Sequence, residues 1–561
     1  MSSIMTSESR LVLAETTPYI RKSYEYTIAD QWGAFVAHQD IIRAVLRQKS
    51  VDAVHLFIEH QPPNMLARND ARAGLRQLQD EFGRQRVDFK KVRDLRQLAQ
   101  ANPYVFIVSG PPYHRLSQTR DALGVSFPLC CVVHSVPTAR SLPNYLITAL
   151  VNRPYDALVV TSTAGRQAIE SLLDCAQDYI RERMQTPLTF QPEIVKIPLG
   201  VDTESLLPMD KKTARKILGI PDQKLLLLYV GRATESFKAD LEPFLVVLRQ
   251  LSNELPDITL LIAGREHEEM YSQHLRRLAG ELGVINLCQF MMNFPHFLKP
   301  VLYSAADIFV SPVDNIQETF GLAVIEAMAC GLPVVASDWS GYRDIVVHGE
   351  TGYLVRTLWD SDAGSEMSGL GMVYYNEYAE HLLAQRTIVD TAQLYEHLLL
   401  LAGRADLRQR FGENGRKRAL ALFSWEVVTR QLAELWRHQR VVMKRHEADP
   451  CDVSADYNKA FAHYSTSIFD PYMRVTSMGL PRDIAITLLR RRGPMYIEVK
   501  ESLILDVLVQ CEERTLTITE IADSLGPESV LGVKWLLKKG LLRLKPEDAE
   551  ANKLEIHQQN R

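Results

Sequence analysis

Between Ala306 and Ser337 the chain reads ADIFVSPVDNIQETFGLAVIEAMACGLPVVAS, a run that few folds accommodate. ADIFV is a short apolar stretch closed by Ser311-Pro312 and reads as a buried strand; LPVVAS reads as a second. Between them, Gly321 to Ala329 predicts a helix, with good helix formers, no internal proline, Gly331 as the C-terminal stop and Pro333 beyond it. Strand, polar loop, helix, strand is a βαβ unit. In such units ligands sit beyond the carboxyl end of the strand, facing the helix N-terminus. Gly321 leaves the backbone open to close approach, and the N–H groups of Gly321, Leu322 and Ala323, with the helix dipole behind them, predict a seat for a phosphate. Glu318 lies in the loop before this helix and Glu326 inside it, eight positions on. A carboxylate accepts hydrogen bonds at both oxygens and suits the paired hydroxyls of a sugar or a ribose. One acid can therefore serve the sugar on one side of a pyrophosphate and the other the ribose on the far side. Taken alone, such a pair is more often a helix cap, here Glu318, and a solvated surface acid, here Glu326.

The stretch ETFGLAVIEAMACGLPVVAS resembles the E-x7-E segment of the retaining, family 4 glycosyltransferases, which use the GT-B fold. That resemblance implies an α/β protein with two Rossmann-like, doubly wound domains around a cleft. It also implies residue roles: Glu318 touches the donor sugar's hydroxyls, Glu326 binds the nucleotide ribose, and the amides of Phe320, Gly321, Leu322 and Ala323 hold the diphosphate.

At 561 residues the chain is too long for one ordinary domain. Its hydrophobic content of 46% and charged content of 24% are those of a soluble globular protein. A net charge of −4, with the charges dispersed, gives no electrostatic case for a nucleic-acid binder. The seven cysteines form no CxxC pair and are odd in number, so they read as buried thiols of a reducing compartment rather than disulfides or a zinc site. The N-terminus MSSIMTSESR lacks the apolar core of a signal peptide, and no run of eighteen apolar residues occurs. The expected location is cytoplasmic, with no transmembrane segment.

Residues 11–200 alternate apolar runs with amphipathic stretches. The candidate strands are LVLAE, VHLFI, VFIVSG, LCCVVH, ALVVTS and IVKIPLG, which predicts a parallel sheet covered on both faces. IPLGVD resembles the IPNGVD that closes the first domain of the same glycosyltransferases, so the hinge is expected near Gly200 to Pro208. His134 ends LCCVVH and is expected to face the cleft, where the resemblance gives it a contact with the donor sugar. The family's glycine-rich loop after the first strand is missing. Either Tyr19, Arg21 and Lys22 form a different acceptor wall or the first strand is displaced.

The second domain opens with LLLLYVGR, ending at Gly231-Arg232, and Lys238 follows six residues later. Two cations at a strand mouth can neutralise a leaving nucleotide diphosphate, the role the resemblance implies for Arg232 and Lys238. TLLIAG and the residues from Glu266 to Leu282 follow as strand and helix, with a short strand at Gln289 to Asn293. In DWSGYRDIVVHGETGYLV, Asp344 stands near where the family shows a glutamate and is expected to be structural. Trp359 to Gly371 reads as a loop, so Asp360-Ser361-Asp362 is not taken as a metal-binding Asp-x-Asp. FSWEVVTRQLAELWRHQR resembles the closing helix of GT-B enzymes.

The expected organisation is 1–205 acceptor-side domain, 206–422 nucleotide-sugar-binding domain, 423–445 closing helix, and 446–561 a mostly helical extension. Within that extension, residues 480–545 show helix, short helix, helix and a strand after Lys-Lys-Gly, a winged-helix-like order. Its third helix offers Lys534, Lys538 and Lys539 but few base-reading side chains, which favours a protein partner over DNA. The whole predicts a metal-independent retaining hexosyltransferase that uses a nucleotide sugar as donor substrate, with no cofactor. The acceptor class stays open among glycan, lipid, peptide and small molecule. The alternatives are a sugar phosphorylase or nucleotide-sugar hydrolase on the same fold, or a sugar-responsive DNA-binding regulator.

Overall fold

The computed structural model describes residues 12–15, 33–58, 76–91, 94–102, 104–109, 114–134, 136, 142–185, 190, 192–266, 269–370, 376–446, 469–490 and 500–545. Tyr19, Arg21, Lys22, most of the turn after His134, and the polar region from Asp449 to Tyr457 lie outside the described residues. The described chain divides into two compact units, one within residues 1–452 and one within 453–561.

The first unit contains two parallel sheets. The N-terminal sheet comprises β1 (Val12–Glu15), β2 (Ala53–Ile58), β3 (Val87–Lys91), β4 (Tyr104–Ser109), β5 (Leu129–Val133), β6 (Ala157–Val160) and β7 (Glu193–Lys196). Their order is β3-β2-β1-β4-β5-β6-β7, every neighbour parallel. All residues of β5 and β6 are buried, as a sheet packed on both faces requires, so these strands read as unbroken apolar runs. Strand β3, VDFKK, was not among the expected strands. It sits at the sheet edge, paired only with β2, where charged residues are tolerated and the apolar signal fades.

The second sheet comprises β8 (Leu225–Ala233), β9 (Ile258–Glu266), β10 (Cys288–Met292), β11 (Ile308–Ser311), β12 (Val334–Ser337) and β13 (Gly352–Val355). Its order is β10-β9-β8-β11-β12-β13, again all parallel. In both sheets the strand order reverses once, between β1 and β4 and between β8 and β11. Open α/β sheets bind ligands at such reversals, because the diverging connections leave a crevice at the strand ends.

The two sheets are tied together at the chain crossing. Val201 N donates to Phe423 O (2.7 Å), and a Cβ at Gly200 would lie 2.3 Å from the Trp425 ring, so only glycine lets the backbone pass under it. The helix Trp425–Lys444 runs from there to the N-terminal sheet, where Gln439 Nε2 donates to Leu129 O (2.9 Å) and Tyr155 O (3.1 Å). Earlier on the same helix, Thr429 Oγ1 accepts from Gln48 Nε2 at 2.7 Å.

One expectation is corrected. Residues after Trp359 do not form a loop: Ser361–Leu370 is a helix. Asp360 starts it, accepting from Asp362 N through Oδ1 (2.9 Å) and from Gly364 N through its carbonyl (3.1 Å). Glycine and serine lower the intrinsic helix propensity of this stretch and hide it; packing of Met367 against Leu383 and Ala379 stabilises it instead. Its place at a helix start still gives the Asp-x-Asp no buried strand end.

The second unit holds a three-stranded antiparallel sheet, Leu516–Thr517, Arg474–Ser477 and Leu542–Leu544 in that order, with helices Glu501–Glu513, Ile518–Leu525 and Ser529–Lys538. Thr517 and Glu520 form a reciprocal capping box that starts the middle helix. Lys534 lies over the Phe469 ring, 4.5 Å from its centre. No helix among the described residues is long and apolar enough to cross a membrane.

Candidate active site

The helix Leu322–Ala329 follows β11 directly at the reversal of the second sheet. Gly321 is its N-cap, at φ 121° and ψ 56°, and no side chain caps it. The first backbone bonds of the helix run from Val324 N (3.0 Å) and Ile325 N (3.2 Å) to Gly321 O, which leaves the amides of Leu322 and Ala323 ahead of the ladder. Those two residues are half-buried, whereas Phe320 and Gly321 are buried. The φ of Gly321 is one that side-chain-bearing residues rarely adopt, and a Cβ there would lie 2.5 Å from Tyr342 Cε1. Tyr342 is itself fixed, fully buried with its hydroxyl 2.8 Å from Ser311 Oγ. The amide cradle is thus set from behind by a rigid aromatic wall.

The preceding loop is anchored at several points. Asn315 Nδ2 donates to Ser236 O (2.6 Å), Trp339 Nε1 donates to Asn315 O (3.0 Å), and Glu318 N donates to Asn315 O (3.2 Å). Glu318 is ion-paired with Lys238, both side chains mostly covered at 12% and 17% exposure. Arg232, at the end of β8, donates from Nη2 to Phe237 O (2.9 Å) and lies over the Phe237 ring. Burial pulls the Arg232 guanidinium below its ordinary range, and the charge of Glu318 pulls it back. Glu318, Arg232 and Lys238 are therefore one electrostatic group at the mouth of the reversal, although the two cations lie at and just after the end of β8, about eighty residues before Glu318 in sequence.

Glu326 faces a different neighbour. Its Oε1 accepts from Lys299 Nζ (2.6 Å) and its Oε2 from Tyr303 Oη (2.7 Å), both on the helix Lys299–Ala305. Burial pushes this carboxyl up, but Lys299 and the Tyr303 hydroxyl outweigh it and leave it below the usual glutamate range. His296, in the turn just before, is pushed down to about 4 by burial and by Lys299. Sequence reasoning missed Lys299 and Tyr303. Only a signal linking positions 27 and 23 residues ahead of Glu326 to it could have revealed them.

His134 directly follows β5 of the N-terminal sheet, and its carbonyl accepts from Thr319 Oγ1 at 2.7 Å. The residue next to Glu318 is thereby fastened to the strand end carrying His134. A second fastening lies further out. Asp344 accepts from Thr163 N (2.5 Å), Thr163 Oγ1 (2.7 Å) and Lys196 Nζ (3.3 Å). Thr163 begins the helix Thr163–Met184, so a carboxylate of the second sheet's half sits at a helix N-terminus of the first. Asp344→Asn is expected to weaken this fastening by about 1 kcal/mol, lowering the thermal midpoint and raising the radius of gyration measured by small-angle scattering. An unchanged midpoint together with an unchanged radius would show the contact to be idle.

Among the described residues one acidic set, Glu235, Asp240 and Glu242, places its oxygens within 4.8 Å of one another. Tyr271 Oη donates to Asp240 (3.3 Å) and His274 Nε2 lies 2.5 Å from Glu242, so neighbouring side chains already occupy part of it.

Residues 210–366 match the family described as glycosyl transferases group 1. This segment is similar to a group 1 glycosyl transferase domain. It contains β8 to β13 and every expected site residue except His134. A D-inositol 3-phosphate glycosyltransferase 2 of Catenulispora acidiphila is 33% identical over 177 residues, 30% of this chain and 40% of the relative. The D-inositol 3-phosphate glycosyltransferase of Mycobacterium tuberculosis is 31% identical over 240 residues, 42% of each chain. The chain thus spans about two-fifths of the length of the curated relatives it matches. Among solved structures, HepE of Anabaena in complex with UDP is similar at TM-score 0.52 and 17% identity, covering 76% of this chain and 98% of that one. Sucrose-phosphate synthase of Thermosynechococcus elongatus is similar at TM-score 0.50 and 19% identity, covering 77% and 100%. The fold around the group 1 domain is GT-B, with two Rossmann-like sheets.

Proposed function

We propose that the protein is a retaining, family 4-like glycosyltransferase that moves a sugar from a nucleotide sugar to an acceptor hydroxyl. The observation that carries this reading is the uncapped N-terminus of helix Leu322–Ala329 at the sheet reversal, flanked by Glu318, Arg232 and Lys238. A diphosphate on those amides is compensated by the helix dipole and two fixed cations, which suits the negative charge that grows on the leaving group. Glu318 then lies on the sugar side, where it orients the hydroxyls and stabilises positive charge at the anomeric carbon. Glu326 takes the ribose, and His134 lines the sugar pocket. In this mechanism the acceptor oxygen bonds to the anomeric carbon on the face from which the diphosphate departs. The bond to the leaving oxygen breaks, and the departing phosphate accepts the acceptor's proton. The lysine and arginine supply the neutralisation that a metal ion supplies elsewhere, which supports a metal-independent reaction.

The HepE structure is a complex with UDP, which favours a nucleoside diphosphate as the probe here. Titrating UDP, GDP and ADP while following thermal unfolding is expected to raise the midpoint by several degrees for one of them, because a ligand bound only to the folded state stabilises it. Absence of a shift with all three would remove the donor site from consideration. For the C-terminal unit we infer a protein-contact role. Met478, Leu480, Ile484 and Ile486 are exposed on it, and Lys534 of its third helix is engaged by Phe469 rather than extended.

A further inference from the structure

We propose that Lys299 is a positioning residue for the donor, holding the Glu326 carboxylate charged and fixed in the orientation from which it accepts ribose hydroxyls. The inference rests on the assignment of Glu326 to the ribose. Glu326 is 9% exposed, in the second turn of a helix whose other buried residues are Val324, Ile325, Ala327, Met328 and Ala329. A carboxylate in such surroundings discards its charge unless a partner compensates it. Lys299 is that partner, 2.6 Å from Oε1, and its own side chain is only 17% exposed, so neither charge is dispersed by solvent. Tyr303 Oη, at 2.7 Å, fixes the other oxygen. With one donor on each oxygen, one lone pair of each stays available, the number that two vicinal hydroxyls require.

The groups facing Glu326 come from several elements. They are Lys299 and Tyr303 on their helix, His296 in the turn before it, Cys330 at the end of the Glu326 helix, and Asp40 on the helix Gly33–Arg47 of the N-terminal half. Burial keeps the His296 ring neutral around pH 7, and Cys330 is pushed up to about 12, which leaves it a thiol. Asp40 is pushed up to about 7 and adds negative charge when ionised. The fixed positive charge against Glu326 is therefore that of Lys299. Without it, the Tyr303 hydroxyl is left as the chief opponent of burial, and Glu326 takes up a proton at higher pH. Ribose affinity is then lost below that pH and regained above it.

The test measures the dissociation constant of whichever of UDP, GDP and ADP binds most tightly, and of its 2′,3′-dideoxy counterpart, by calorimetry from about pH 6 to about pH 8.5. Wild type is expected to prefer the ribonucleotide by about tenfold or more throughout. Lys299→Met is expected to lose about tenfold for the ribonucleotide at the acid end, to recover it towards the alkaline end, and to leave the dideoxy constant unchanged. Lys299→Arg restores the flat profile. Tyr303→Phe, which keeps the ammonium, weakens the ribonucleotide by a smaller, pH-independent factor and serves if Lys299→Met does not fold. A loss shared by both nucleotides and constant with pH overturns the proposal, since Lys299 would then touch the nucleotide itself. A wild-type profile in Lys299→Met, with the dideoxy preference intact, overturns it while leaving Glu326 on the ribose. Equal affinity of wild type for both nucleotides overturns the ribose assignment, and this proposal with it.

Discussion

Glu318→Gln is expected to slow the release of nucleoside diphosphate from a sugar nucleotide about a hundredfold, with circular dichroism showing the fold intact. The glutamine keeps the shape and two acceptor positions but removes the negative charge, so the loss isolates what the charge does. Two effects add. In the proposed mechanism the sugar's developing positive charge loses a compensating carboxylate, and Lys238 loses the carboxylate it is ion-paired with. Lys238 is mostly covered, so leaving it alone costs about 1–3 kcal/mol of stability, seen as a lower thermal midpoint. Adding Lys238→Met to Glu318→Gln is expected to recover much of that midpoint and none of the rate. Arg232→Ala, which removes a cation from the same group, is expected to slow turnover by at least about tenfold. Near-wild-type rates in both Glu318→Gln and Arg232→Ala would rule out the proposed chemistry.

Gly321→Ala is expected to be the more damaging change for binding. Its Cβ meets Tyr342 Cε1 at 2.5 Å and Cδ1 at 2.7 Å, and the φ of 121° is hostile to any side chain. Tyr342 cannot yield without breaking its contact with Ser311 and disturbing a fully buried site. The backbone must therefore move, and it is the backbone whose amides are proposed to seat the diphosphate. We expect a lower thermal midpoint, of the order of 1–3 kcal/mol from the strained dihedral alone, and loss of nucleoside diphosphate affinity by more than about tenfold. Tyr342→Leu in the same chain relieves the clash but not the dihedral, so stability returns in part while affinity stays low. If Gly321→Ala bound UDP, GDP or ADP as wild type does, the helix N-terminus would not be the diphosphate seat.

The βαβ unit from Ala306 to Ser337 was legible because each of its signals is local. An apolar run, a proline stop, a helix without breakers and a glycine terminator are each read within a few residues. The same holds for the inner strands, whose burial on both faces leaves no polar alternation to confuse them. Strand β3 and the helix Ser361–Leu370 were not legible, because neither depends on its own composition. One is an edge that borrows hydrogen bonds from β2, and the other is stabilised by what packs on Met367.

The sequence by itself determined the succession of strands and helices, the glycine at the head of the Leu322–Ala329 helix, and the two acids spaced eight apart, because chain-neighbour sterics and periodicity encode them. Tertiary structure alone decided that the two acids have different cationic partners, Lys238 for Glu318 and Lys299 for Glu326. It alone decided that Thr319 and Asp344 fasten the two halves together, at His134 and Thr163. Those pairings join positions from 27 to 185 residues apart. Separations of that length are closed by the folding of one sheet or the docking of both, which no local signal records.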